Sequence, residues 1–199
     1  MSSNKIFSLT LSLLVLYVLS GCGGDNQKVD FNDDRSLREL ASDLIEKNIR
    51  FVSSGYFSSE SGKSLVAGFE TSVNNKSGIS FSLIEKVDDE FMVVYNTGLL
   101  SGSFNNCIVD KMKFSSEKGE LIYYDSKDFY MSSSSGDVFL YLVSMFKRKI
   151  YYAHLIVTRT SGASLYLSDN IQNPLLRKFF ISYFKKDHPN LKLIESDIL

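Results

Sequence analysis

The chain has few cysteines, few prolines, no tryptophan and no excess of charge of one sign. Two cysteines among 199 residues exclude a disulfide-rich scaffold and a zinc site built from several cysteines. Two prolines leave little sequence for a stiff linker. The 22 basic residues face 23 acidic ones, for a net charge of −1. This balance argues against a nucleic-acid partner, because such partners attract a basic surface.

A hydrophobic run long enough to span a bilayer is also lacking. The apolar run over residues 6–18 has about 13 residues, and a helix of that length covers about 20 Å, short of the hydrocarbon core of about 30 Å. Lys5 precedes the run and small residues follow it. A charged start, a short apolar centre and a small-residue end are typical of a secretory signal peptide.

The end of this run carries the most specific motif of the chain. Leu19, Ser20, Gly21 and Cys22 resemble the lipobox of bacterial lipoproteins, in which a leucine and two small residues precede a cysteine. The resemblance implies that Leu19, Ser20 and Gly21 form the recognition site and that cleavage leaves Cys22 first. It also implies that Cys22 carries a diacylglycerol and an N-acyl group. No cofactor is predicted for the chain. An ordinary cleaved signal and an uncleaved anchor are the alternatives.

The same resemblance predicts where the protein is located in the cell. The lipid bilayer becomes a partner through Cys22, and glycine at position 23, where aspartate usually signals inner-membrane retention, favours the outer membrane in a host with two membranes. The predicted division is a signal peptide over residues 1–21, a lipidated cysteine with a flexible tether over residues 22–32, and one domain over residues 33–199. The eight tether residues 23–30 reach at most about 28 Å.

The periodicity of the domain predicts an α+β fold. Apolar residues at spacings of three and four predict an amphipathic helix over residues 34–53. Alternation over residues 63–125 predicts five short strands in an antiparallel meander. Residues 138–146 suit either a helix or a buried strand, and we favour a helix. Strands are expected within residues 150–167, and Asn173 and Pro174 predict the start of a further helix. One or two later helices would thus pack on the sheet.

Candidate catalytic residues are few. Cys107 and His154 could form a nucleophile and base, but no family signature surrounds Cys107, and a lone thiol in an apolar alternation is typical of a core. His154 and His188 make no metal motif, so no metal site is predicted. A nucleophile elbow and a phosphate-binding loop are absent from the sequence. These observations favour a protein that is not an enzyme.

Aromatic residues are the remaining signal, with 15 Phe and 11 Tyr. Tyr123, Tyr124, Tyr130, Tyr151 and Tyr152 form a candidate binding face, because adjacent aromatics in a strand point to opposite sides and one of each pair can be exposed. We therefore expect a non-catalytic binding module for an envelope protein or a cell-wall component. The alternatives are a lipid-anchored hydrolase with an unrecognised site and a carrier that holds a small apolar ligand between helix and sheet.

Overall fold

Two β-sheets stack face to face between two helices in a computed structural model that describes residues 29–129 and 135–194. The helices are α1 (Asp34–Ile45) and α2 (Pro174–Lys185). The strands are β1 (Ile49–Gly55), β2 (Ser64–Val73), β3 (Lys76–Val87), β4 (Glu90–Asn96), β5 (Cys107–Lys113), β6 (Glu120–Phe129), β7 (Gly136–Ser144), β8 (Lys149–Thr158), β9 (Gly162–Leu167) and β10 (Lys192–Ile194). The predicted signal peptide, the lipobox with Cys22, and Tyr130 lie outside the described residues.

The sheets differ in width. The small sheet has four strands in the order β1-β2-β3-β4, and the large sheet has six in the order β10-β9-β8-β7-β6-β5. Consecutive strands within each sheet pair antiparallel, except that β10 runs parallel to β9. A parallel pair needs a crossover connection, and α2 lies in that connection.

Three apolar cores separate the four layers. In the first, Leu37 and Ala41 of α1 pack on the outer face of the small sheet. In the central core, Phe81 of the small sheet meets Tyr124 of the large sheet. The third core lies between the large sheet and α2 and contains Leu140, Leu142, Leu155, Leu176 and Phe180. Both faces of strands such as β3 and β7 are therefore covered, and these strands are buried at consecutive positions.

The predicted α+β class is wrong. The described part of the chain is mostly β, with 51% of its residues in strands and only two short helices. The main error is the helix predicted over residues 138–146, which the structure forms as strand β7. Leu140 and Leu142 enter the core beneath α2, whereas Tyr141 and Val143 enter the central core. Because β7 is buried on both faces, its continuous apolar run lacks the alternation by which strands are usually detected.

The first helix is shorter than predicted. It begins after Asp33, whose carboxylate accepts hydrogen bonds from the backbone N–H groups of Arg35 and Ser36. It ends at Ile45, because Glu46 adopts a left-handed conformation with φ of 56°. The apolar residues beyond that point belong to strand β1. The predicted single helix over residues 34–53 is thus a helix followed by a strand.

The predicted start of the later helix is confirmed. Asn173 caps α2 by accepting from the N–H of Leu175, and Pro174 occupies the first turn. The hairpin between β3 and β4 turns through Asp88 and Asp89, both with positive φ. Asparagine and aspartate tolerate this conformation better than most residues, so two aspartates suit this turn.

Candidate functional site

The structure separates the tyrosines that were predicted to share a binding face. Tyr123 and Tyr124 point to opposite faces of β6, and Tyr151 and Tyr152 to opposite faces of β8. Tyr124 and Tyr151 are buried, Tyr123 is half-buried against the core beneath α2, and Tyr152 is 37% exposed. Tyr130 lies outside the described residues. Of the four that are described, only Tyr152 therefore presents a large exposed ring.

Tyr152 belongs to a set of rings that we call the aromatic shelf: Phe139, Tyr152, His154 and Tyr166. All four point to the side of the large sheet that faces the central core, on strands β7, β8 and β9. Phe139, His154 and Tyr166 are half-buried. The large sheet has two more strands than the small sheet, so this part of its inner face is incompletely covered.

Strand register brings the shelf rings into contact. Phe139 lies opposite His154, and His154 lies opposite Tyr166, so the three form one row across three strands. The rings of Phe139 and His154 stack with centroids 4.4 Å apart and planes 18° apart. The rings of His154 and Tyr166 are tilted, with centroids 6.2 Å apart. Cross-strand aromatic pairs of this kind hold each other in place, so the shelf is a preformed surface.

One polar contact is built into the shelf. Nε2 of His154 lies 2.6 Å from Oδ1 of Asp137 on the neighbouring strand. Asp137 also makes a further interaction within the described residues. A carboxylate at this distance fixes the orientation of the imidazole ring. The shelf therefore combines apolar ring faces with an oriented polar group, which are the two ingredients of specific recognition.

The candidate pairing of Cys107 with His154 is not assembled. Cys107 lies opposite Ser126, Ser126 opposite Phe139, and Phe139 opposite His154. Three strand spacings separate the thiol from the imidazole, or about 14 Å. Burial also raises the pKa of the Cys107 thiol, the opposite of what activates a nucleophile. Within residues 29–129 and 135–194, no hydroxyl or thiol group is hydrogen-bonded to His154.

Beside the shelf, on the same face of β7 as Phe139, lies a buried tyrosine whose ionisation is suppressed. The ring of Tyr141 lies nearly parallel to that of Phe139, with centroids 6.4 Å apart. The centroids of the Tyr141 and Tyr152 rings are 5.9 Å apart. Desolvation by burial raises the pKa of Tyr141 to about 12. The hydroxyl therefore stays protonated at every pH at which the shelf would work.

Tyr141 should make stability fall with rising pH between about 10 and 12. An unfolded tyrosine ionises near pH 10, so within this window the native state binds one more proton than the unfolded state. The free energy of unfolding should then decrease by about 1.4 kcal/mol per pH unit for this group. Urea denaturation of the protein and of Tyr141→Phe, repeated at several pH values, measures the difference in slope. Equal slopes in the two proteins would contradict the assignment.

The described residues were also searched for metal-ligand groups and for membrane-spanning helices. Among the described residues, no three His, Cys, Asp or Glu side chains are grouped so as to hold a metal ion. No helix within the described part of the chain is long and apolar enough to cross a membrane.

Comparison with known proteins adds no family. No protein-family model matches the chain, and no match was found among curated proteins or solved structures.

Sequence reasoning missed most of the shelf. Phe139 and Asp137 were hidden because the segment beginning at residue 138 was predicted as a helix, which would have dispersed them. His154 was considered only as a possible base or metal ligand, and Tyr166 was not singled out. The available signal was the two-residue spacing of Asp137, Phe139 and Tyr141 together with that of Tyr152 and His154, which places each set on one face of its strand.

Proposed function

We propose that the protein is a lipid-anchored lipoprotein of the bacterial cell envelope whose domain is a non-catalytic binding module for a partner protein. The observation that carries the proposal is the aromatic shelf. Phenylalanine and tyrosine are enriched in protein interfaces, and buried tyrosines are prominent among the residues that dominate binding energy. The lipobox motif ending at Cys22 supports the anchoring, and Gly23 supports the outer membrane in a host that has one.

A protein partner suits the chemistry of the shelf. The rings of Phe139 and Tyr166 offer apolar area that is already ordered by stacking on His154, so little conformational entropy is lost on binding. The contact between Asp137 and His154 supplies a polar group at the rim. A partner that covers the rings and hydrogen-bonds at the rim would reproduce the usual anatomy of an interface, with an apolar centre and a polar edge.

The hydrolase alternative has less support. A hydrolase built on His154 needs a nucleophile beside the imidazole, and the row of residues across the large sheet puts Ser126 and Phe139 between Cys107 and His154. The carrier alternative has one favourable observation, a cavity of about 240 Å³ between α2 and the large sheet. That cavity lies on the opposite face of the large sheet from the shelf, so the two functions do not compete.

Crosslinking in intact cells tests the proposal. A photoreactive phenylalanine analogue replaces Tyr152 in the full-length protein, and in a matched variant it replaces Tyr56, which is 42% exposed but lies at the end of β1. We expect a discrete protein adduct from position 152 and none of the same mass from position 56. Identical adducts from both positions would contradict the proposal that the shelf is the binding surface. An adduct that a cell-wall hydrolase degrades would show that the partner is a wall polymer and not a protein.

Alanine substitutions on the shelf should weaken the same complex. Tyr152→Ala combined with Tyr166→Ala removes two rings that contribute exposed area to the shelf. Truncation of a central interface tyrosine commonly costs about 2 kcal/mol, so recovery of the partner by co-purification should fall by at least about tenfold. Tyr56→Ala serves as the control and should leave recovery unchanged. Full recovery with the double variant would contradict the proposed surface.

A further inference from the structure

Strand β4 is an edge strand that lacks the usual protection against pairing with another chain. Within the described residues the two sheets have four edge strands, β1, β4, β5 and β10. Strand β10 has only three residues, and β5 has three charged residues in the sequence CIVDKMK. The side chains of Arg38 and Lys111 donate hydrogen bonds to carbonyl groups of β1. Short length, charged residues and covering side chains are devices by which proteins protect the edges of sheets.

The exposed edge of β4 is apolar. Its sequence is EFMVVYN, and the five residues between Glu90 and Asn96 are apolar or aromatic. Met92 and Val93 are each 40% exposed. The pairing with β3 shifts register between Val93 and Tyr95, so the regular part of this edge ends at Val93. An exposed apolar edge of this kind is a template for another strand.

The outward-pointing backbone groups of β4 belong to Phe91 and Val93. A two-residue turn joins β3 to β4 and is flanked by the pair of Val87 and Glu90. The hydrogen bond of such a turn joins the carbonyl of the first flanking residue to the N–H of the last, so the backbone groups of Glu90 and Met92 point toward β3. Those of Phe91 and Val93 alternate with them and point away from β3. No hydrogen bond within the described residues uses these outward groups.

The outward groups are complementary to those of a second copy of the chain. When two β4 strands lie antiparallel with Met92 opposite Met92, Phe91 of each copy lies opposite Val93 of the other. Each of these two pairs exchanges two hydrogen bonds between N–H and carbonyl groups, which satisfies the outward groups of the regular edge. Glu90 lies opposite Val94, so no like charges face each other across the two strands.

The charges beside this edge also match those of a second copy. Glu90 lies on the face of the small sheet toward the central core, because Val87 opposite it is four residues from Leu83, a member of that core. Tyr95 packs against the same core, and the guanidinium of Arg148 lies 5.6 Å from the centre of its ring. In the antiparallel register, Glu90 of one copy comes beside Tyr95 of the other and within reach of Arg148. Neither charged residue forms an ion pair within the described part of the chain.

The layers of two copies fit this arrangement. A two-fold axis that relates antiparallel neighbours is perpendicular to their sheet, so both copies keep α1 on the same side of the joined sheet. Val29 and Phe31 pack beneath α1, so both chains enter from that side. Arg148 belongs to the turn between β7 and β8, at one end of the large sheet. Because this turn lies beside Tyr95, the rotation directs the two large sheets away from the axis in opposite directions.

We propose that two copies of this chain associate through β4, with a two-fold axis at Met92 that joins the two four-stranded sheets into one. The pairs of Phe91 with Val93 hold the strands together, and Glu90 of each copy forms an ion pair with Arg148 of the other. The contact is isologous, so it closes and does not propagate. It involves the small sheet and does not depend on the aromatic shelf. Because few residues are buried, the association is weak and is best measured by covalent trapping.

Disulfide trapping tests the register. Met92→Cys is combined with Cys107→Ala in the full-length protein, and the purified protein is oxidised with copper phenanthroline. Opposite residues in a non-hydrogen-bonded antiparallel pair have Cα atoms about 4.5 Å apart, within the range of a disulfide. We therefore expect a covalent dimer, whereas Cys107→Ala alone should give none.

A cysteine elsewhere on the same strand separates register from random collision. Glu90→Cys in the same background exposes a thiol on β4, but the two copies of position 90 lie about 14 Å apart in the proposed register, beyond the reach of a disulfide. It should give no dimer. The proposal is overturned if position 92 gives no dimer, or if position 90 gives as much dimer as position 92.

Charge exchange tests the ion pair and covers the case in which a single variant does not fold. Glu90→Arg or Arg148→Glu, each added to the Met92→Cys protein, brings like charges together and should reduce the trapped dimer by about fivefold or more. The double variant restores opposite charges and should restore the dimer, which a general loss of folding cannot do. Glu60→Arg, in the exposed loop between β1 and β2, should leave trapping unchanged. Undiminished trapping in both single variants, or no recovery in the double variant, would overturn the proposed dimer.

Discussion

Replacing Cys22 with alanine is expected to move the protein from the membrane fraction to the soluble fraction. The physical reason is the loss of acyl chains: each buried methylene contributes about 0.8 kcal/mol, and one chain alone gives only reversible binding. Two or three chains on the Cys22 thiol and amino group would hold the domain at the bilayer. Without the thiol neither acylation nor the cleavage that follows it can take place. The apolar run of about 13 residues that the variant keeps is too short to span the bilayer, so it should not replace the lipid anchor. Fractionation of cells followed by a carbonate wash measures the change.

The second cysteine supplies the control for this experiment. Cys107→Ala alters a half-buried residue of β5 and should leave the protein in the membrane fraction. Mass spectrometry of the wild-type protein should find the added acyl mass on Cys22 and none on Cys107. The lipoprotein assignment is wrong if the Cys22→Ala protein still sediments with washed membranes, or if the wild-type thiol is unmodified.

Phe81→Ala should destabilise the fold by about 3–5 kcal/mol, the range for truncating a fully buried phenylalanine. Phe81 is 0% exposed and lies in the central core. Its ring packs edge-on against Phe51, Phe104 and Tyr124, at centroid distances of 6.3, 6.0 and 6.1 Å. Gly68 completes the cluster, because a β-carbon there would come within 3.0 Å of the rings of Phe81 and Phe104. Alanine at position 81 would leave a cavity that these neighbours cannot fill without moving.

Urea denaturation of the purified protein measures the loss. Phe146→Ala is the matched control, since Phe146 is 39% exposed and its truncation should cost less than about 1 kcal/mol. Domains of this size have total stabilities of about 5–15 kcal/mol, so Phe81→Ala should remove a large part of the total. A midpoint for Phe81→Ala no lower than that for Phe146→Ala would show that the central core is not the main source of stability.

Local chemistry predicted the boundaries of several elements, whereas their pairing depended on distant residues. Asn173 and Pro174 identify the start of α2 because capping and a fixed φ act within one turn. The end of α1 was missed because Glu46 takes a left-handed conformation, in which glycine or asparagine is more usual. Strand β7 was missed because helix α2 and the small sheet cover its two faces. The residues of β7 alone do not show that these two elements pack against it.

The candidate site depended even more on distant contacts. Alternation within a strand correctly predicts that Tyr151 and Tyr152 point to opposite sides. Which of the two reaches solvent is decided by the widths of the two sheets and by the position of α2, so the sequence could not choose between them. The row of Phe139, His154 and Tyr166 joins residues from three strands, and no spacing along the chain specifies that register.

The order of the layers gives an anchored molecule a defined orientation. Val29 and Phe31, the first described residues with apolar side chains, pack in the core beneath α1, so the chain enters the domain at that end of the stack. Three layer spacings of about 10 Å separate α1 from α2, whereas the six residues between Cys22 and Val29 reach at most about 21 Å. With Cys22 acylated, α1 would lie nearer the membrane, and the cavity between α2 and the large sheet would lie on the side away from it.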